Sequence, residues 1–147
     1  MTIKTFNINT DKTAFVRAYL PDSIAGLPFC EKRPAVLIFP GGGYEYCSDR
    51  EGEPIALQYL ALGYAAFVVT YSCNERFPEP LMDAAYIFYK IRMRAEEFKI
   101  DPQKMAVLGC SAGGHLAGCL ATMWSDIALT KTCLLYTSDA ADEARSV

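Results

Sequence analysis

The chain has 147 residues, 52% of them hydrophobic and 21% charged, which is the composition of a packed core and excludes a disordered segment. Its formal net charge of −3 offers no basic surface for nucleic acid or an anionic membrane. Apolar runs such as 35–39 and 65–69 are far shorter than the ~20 residues of a membrane-spanning helix. Six cysteines without a CxxC pair present no zinc pattern, and no apolar leader follows Met1, so they read as free, mostly buried thiols of a cytoplasmic protein.

In chain order, Lys4–Asn9 and Thr13–Leu20 come first. They are short and alternating, with Phe15, Arg17 and Tyr19 set against Ala14, Val16 and Ala18, which predicts an antiparallel hairpin. Ala35–Phe39 is a continuous apolar run ended by Pro40 and three glycines, as expected for a strand buried on both faces of a parallel sheet. Pro54–Leu62 has helical spacing, with a stripe of Ile55, Tyr59 and Leu62 and Gly63 as its stop. Ala65–Tyr71 is a second buried strand. Pro80 then opens a longer helix with a predicted buried stripe of Met82, Ala85, Tyr86, Tyr89 and Met93, closed by Asp101-Pro102. A third strand, Met105–Leu108, leads into a helical stretch at His115–Trp124.

The alternation of strand and helix from residue 35 to about 124 specifies right-handed crossovers and a mostly parallel sheet. No internal repeat or low-complexity segment interrupts it, and 1–132 reads as part of one domain. Single α/β domains often need roughly 200 to 250 residues, so the expectation is an N-terminal half only.

Two glycine motifs carry the chemistry. Gly109-Cys110-Ser111-Ala112-Gly113 matches G-x-S-x-G and stands between a strand and a helix, where a nucleophile elbow must stand. A β-carbon at the flanking positions would clash in that strained turn, which lifts the Ser111 Oγ above the sheet. Pro40-Gly41-Gly42-Gly43-Tyr44 ends the first parallel strand and takes the place of an HGGG-type loop, whose backbone N–H groups meet an oxyanion. No Gly-Lys-Ser/Thr follows it, so it is not a phosphate loop. The oxyanion donors expected are Ala112 with Gly42 or Gly43.

The stretch from Ala35 to Ala121 carries Pro40-Gly41-Gly42-Gly43-Tyr44, Tyr64–Ser72, Asp83, Ile100-Asp101-Pro102 and Gly109–Ala117. It resembles the α/β-hydrolase esterases described as acetyl esterases, nearest to the branch with acetylxylan and feruloyl esterases. The resemblance implies a three-layer α/β fold and a cofactor-free, metal-free serine hydrolase acting on a small-molecule or oligosaccharide ester. It also implies an acid and a base well downstream of Ser111. A serine peptidase or formamidase-type amide hydrolase shares both motifs, and a non-catalytic binding module could keep the fold.

His115, the single histidine, lies four residues past Ser111, about 6 Å along the helix, and a base must come from a separate loop. Its expected role is structural, beneath the elbow. Asp83 reads as a first-turn residue favoured by the helix dipole. Tyr44 is a candidate substrate contact, with Tyr46, Asp49 and Arg50 beside it. The run Cys133–Glu143 fits, residue for residue, one reading frame of a transposase-derived sequencing adaptor. Residues 133–147 are therefore expected to be a non-native tail.

Overall fold

The computed structural model describes residues 1–8 and 13–126, so the expected tail lies outside the described residues. The elements are β1 (Thr2–Asn7), β2 (Phe15–Leu20), β3 (Arg33–Phe39), α1 (Glu53–Ala61), β4 (Ala65–Thr70), α2 (Glu79–Met93), α3 (Ala95–Phe98), β5 (Ile100–Gly109) and α4 (Ala112–Met123). The five strands form one sheet in the order β1-β2-β4-β3-β5. β1 pairs antiparallel with β2, and β2 antiparallel with β4, while β3 runs parallel to both β4 and β5. The predicted N-terminal hairpin and parallel core are both present.

Strand alternation divides the core into two layers of packing. Val16, Ala18, Ala35, Leu37, Phe39, Phe67 and Val69 face α2 and α4. Tyr19, Val36, Ile38 and Ala66 face α1 and pack on Ala56. The Tyr19 hydroxyl donates to the Glu53 carboxylate at 2.7 Å, tying β2 to the first turn of α1. The result is the expected three-layer arrangement, helices on both faces of an open mixed sheet. Among the described residues no helix is long and apolar enough to cross a membrane.

Four expectations need correction. The buried residue of α1 is Ala56, and Leu62 is 72% exposed, because it caps the helix outside the last turn. The buried side of α2 is Leu81, Ala84, Ala85, Ile87 and Ile91, and Met93 is 66% exposed. The small alanines let the helix approach the sheet, while Met82, Tyr86 and Tyr89 lie at the margin of that contact. The long helix ends at Met93, capped by Arg94; the short α3 that follows is ended by Lys99 in a left-handed conformation, and Asp101-Pro102 already belong to β5. Of the five free cysteines described only Cys30 is buried; Cys47, Cys73, Cys110 and Cys119 are half-buried in loops and on α4.

Candidate active site

β3 and β5 are adjacent, but the chain leaves their C-terminal ends toward opposite faces, β3 to α1 and β5 to α4. Divergent connections of this kind open a crevice at the carboxyl edge of a parallel sheet, where ligands of such folds bind. Both glycine motifs stand at that edge.

At the end of β5, Ser111 has φ 50° and ψ −118°. That backbone costs a residue with a β-carbon about 1–3 kcal/mol and persists only where its surroundings enforce it. The surroundings are visible in the flanking glycines. A β-carbon on Gly109 would lie 2.0 Å from the Gly113 carbonyl oxygen, and one on Gly113 would lie 1.9 Å from that of Phe39. The Cys110 N–H continues the ladder to Phe39 at 3.1 Å, so the turn is locked against β3. Ser111 is exposed at the N-terminus of α4, and among the described residues its hydroxyl has no hydrogen-bond partner. The helix begins at Ala112, three residues before the stretch read from the sequence, and the Ala112 N–H is one of its uncommitted first-turn donors.

At the end of β3, the loop backbone can be accounted for group by group. The Pro40 carbonyl accepts from the buried Tyr71 hydroxyl at 2.5 Å. The Gly41 carbonyl accepts from the Ser48 N–H at 2.8 Å, and the Gly41 N–H donates to the Glu51 carboxylate at 2.7 Å. The Gly42 carbonyl accepts from Glu45 and Tyr46 at 3.0 and 3.3 Å. Gly42, Gly43 and Tyr44 all have positive φ, at 139°, 64° for Tyr44 and 65° for Gly43. The N–H groups of Gly42 and Gly43 find no acceptor among the described residues. With the Pro40, Gly41 and Gly42 carbonyls committed within the fold, the Gly42 and Gly43 amides are the loop's unengaged donors beside the elbow.

The two motifs touch. A β-carbon on Gly41 would sit 3.0 Å from Cβ of Ser111 and 2.8 Å from the Cys110 carbonyl oxygen. The Tyr44 hydroxyl and the His115 Nδ1 are 2.7 Å apart, and the Tyr44 ring meets the rings of Tyr71 and His115 edge-on. His115 is thus engaged with Tyr44 and is exposed on α4 beside the elbow, instead of buried beneath it. Burial pushes the Tyr44 phenol up from its ordinary value, with the neighbouring Cys119 adding to it. The tyrosine expected to contact substrate therefore also bridges the glycine loop to the elbow helix.

Asp83 stands in the second turn of α2, past the first turn expected for it, because the helix already begins at Glu79. Its carboxylate accepts the Ser72 N–H at 2.8 Å and fastens the loop that follows β4. Burial raises its pKa, partly offset by the Ser72 bonds. Of the other loop candidates, Asp49 lines a cavity of about 440 Å³ with Arg17, Ser48, Glu53, Val68 and Thr70, on the α1 side of the loop; Ser111 is not part of it. Tyr46 and Arg50 are exposed and do not line that cavity. Glu51 is the residue that sequence reading passed over. The spacing between a glycine loop and one of several acidic residues after it holds no signal that singles out Glu51.

Fold and site together define an α/β hydrolase. The BD-FAE family model matches residues 27–147, and the chain belongs to that family. It is 50% identical to MGS-M1, an α/β hydrolase enzyme from a Medee basin deep-sea metagenome library, over 83% of this chain and 51% of that one, with a TM-score of 0.80. It is 36% identical to endo-1,4-beta-xylanase B of Butyrivibrio fibrisolvens over 65% of this chain and 16% of that protein. It is 32% identical to the acetylxylan esterase of Xylanibacter ruminicola over 81% of this chain and 24% of that protein. The chain spans a quarter or less of the length of these two curated relatives.

Proposed function

We propose that the full-length protein carrying this chain is a serine carboxylesterase that removes short acyl groups, acetyl above all, from carbohydrate esters. The observation that carries the reading is the strained, exposed Ser111 set against a loop whose carbonyls are committed inward and whose Gly42 and Gly43 N–H groups are free. The acetylxylan esterase and xylanase among the relatives support the carbohydrate side of it.

In this reading Ser111 Oγ attacks the ester carbonyl carbon while a histidine supplied from outside the described residues takes its proton. The carbonyl oxygen becomes an oxyanion held by the N–H groups of Ala112 and of Gly42 or Gly43. Collapse of the intermediate expels the sugar alcohol, which leaves with the proton, and water then releases the acid from the acyl-enzyme. His115 is not that base, because its ring is engaged with Tyr44 on the same helix as the serine. In this reading the base comes from outside the 147 residues, whose single histidine is His115. The 147-residue chain by itself accordingly turns over at background, since loss of the base in a comparable serine hydrolase costs about a millionfold.

The test is covalent labelling of the full-length protein with a fluorophosphonate. Label on Ser111 that disappears in Ser111→Ala, together with loss of acetyl ester turnover, is expected. Label or turnover that survives Ser111→Ala overturns the assignment.

A further inference from the structure

We infer that Glu51 is a positioning residue for the oxyanion site: its carboxylate captures the Gly41 N–H and so sets the direction of the Gly42 and Gly43 amides. The inference deepens the esterase reading and rests on it. Three observations lead there. The bond is short, 2.7 Å from the Gly41 nitrogen to Oε2 of Glu51. Its donor sits where the glycine loop presses on the elbow, since a β-carbon on Gly41 would be 2.7 Å from that same oxygen and 3.0 Å from Cβ of Ser111. The acceptor is itself held in place: the Glu51 N–H donates to the Ser48 carbonyl at 3.1 Å, and the Ser48 N–H donates to the Gly41 carbonyl at 2.8 Å. The segment 41–51 thus closes on itself through one side chain.

The physical reason for an acceptor at this point lies in the loop's own freedom. Three successive residues with positive φ, two of them glycines, have little intrinsic preference for one direction of their amides. Gly41 is buried, so its N–H must find a partner. Without the carboxylate, the peptide is driven to rotate toward another acceptor or toward water, and the neighbouring amides rotate with it. A misplacement of about 1 Å in a group that stabilises a transition state costs on the order of a hundredfold in rate. The negative charge itself is of no use near a developing oxyanion; the acceptor oxygen is what the loop requires. Cys110, next to the serine, registers that charge: its thiol is pushed up by burial and then by Glu51.

The experiment compares the full-length protein with its Glu51→Ala, Glu51→Gln, Glu51→Asp and Ser111→Ala forms on p-nitrophenyl acetate, with unfolding transitions recorded for each. Glu51→Ala is expected to lower kcat by about 10- to 100-fold with KM changed less than about threefold. Glu51→Gln, which keeps a carbonyl acceptor and discards the charge, is expected to restore kcat to within about threefold of the parent. Glu51→Asp, which keeps the charge and draws the acceptor back by one methylene, is expected to behave like Ala. A normal kcat in Ala or Asp overturns the inference, as does a loss confined to KM or a glutamine form as slow as alanine. Where Ala does not fold, Asp and Gln decide between them. Activity retained in Ser111→Ala would instead sink the serine reading, so the two failures are distinct.

Discussion

The two glycine turns at the ends of β3 and β5 are adjacent, and they part company at Gly43. In the elbow, glycine is demanded by lack of space: Gly109 and Gly113 have backbone oxygens at 2.0 and 1.9 Å from where a β-carbon would be, and the strain falls on Ser111. In the loop after β3 the demand changes along the turn: a β-carbon would lie 2.8 Å from the Cys110 carbonyl oxygen at Gly41 and 2.0 Å from that of Tyr46 at Gly42, whereas Gly43 has open space around its absent β-carbon and is demanded by conformation alone, φ 65°. Close packing makes the first turn rigid without help from side chains. The second is tight at Gly41 and Gly42 and soft at Gly43, and the side chains of Glu51 and of Tyr44 with His115 hold it there. A nucleophile has to be aimed once by the fold, whereas donors to an oxyanion must be oriented against the loop's own freedom.

The contrast is open to substitution, and stability measured by urea unfolding of the full-length protein reads it. Gly113→Ala is expected to have the largest effect, a loss of about 4 kcal/mol or more, because its methyl group would enter the Phe39 carbonyl and separate β5 from β3. A loss under 1 kcal/mol would show that the elbow is not held by packing. Gly43→Ala should cost about 1 kcal/mol, the left-handed conformation without a clash, and should leave the fluorophosphonate label on Ser111. A collapse of the fold there would mean that position 43, like Gly41 and Gly42, is limited by space.

Gly118 supplies the reference for a glycine under neither demand. It sits exposed in α4 with nothing within 4 Å of its absent β-carbon, so Gly118→Ala should stabilise by about 0.5–1 kcal/mol. Destabilisation would reveal a contact on that face.

The smallest effect concerns Asp83, which holds the loop after β4 as Glu51 holds the loop after β3. Burial raises its folded pKa above the ordinary value of 3.8, so in the interval between the two values the folded state binds more protons than the unfolded state. Stability from this group therefore falls as pH rises through that interval, and stays at the lower level above it. Asp83→Asn keeps an acceptor for the Ser72 N–H and should flatten this slope in unfolding measured from pH 3.5 upward. A slope unchanged in the variant would assign the dependence to other carboxylates.

Most of the core was legible because its signals are short-range. Runs such as Ala35–Phe39 and Ala65–Val69, bounded by Pro40 and Gly63, name their strands directly, and the hairpin follows from the alternation around Arg17. Reading was poorer where amphipathic residues had to be ranked. In α2 the choice between Leu81, Ala84 and Ile91 on one side and Met82, Tyr86 and Met93 on another depends on how closely the helix approaches the sheet. Met105–Leu108 was seen as an apolar strand, but its extension back to Ile100 was not, because Asp101-Pro102 reads as a break and is accommodated at a shift in register next to Arg33. On its far side β5 has no neighbouring strand among the described residues, and its side chains are half-open where those of β3 are buried.

What the sequence by itself determined is the order of strands and helices, the two glycine turns and the serine between them. Each is set by local periodicity or by a steric demand that acts within a few residues. Only the tertiary structure decided which side chains hold those turns. Glu51 reaches Gly41 across ten residues through the folding of the connection between β3 and α1, and His115 meets Tyr44 across seventy-one because the crossovers bring the ends of β3 and β5 together. A hydrogen bond depends on position to within a fraction of an ångström, and that precision comes from the packed sheet, beyond what residue order alone records.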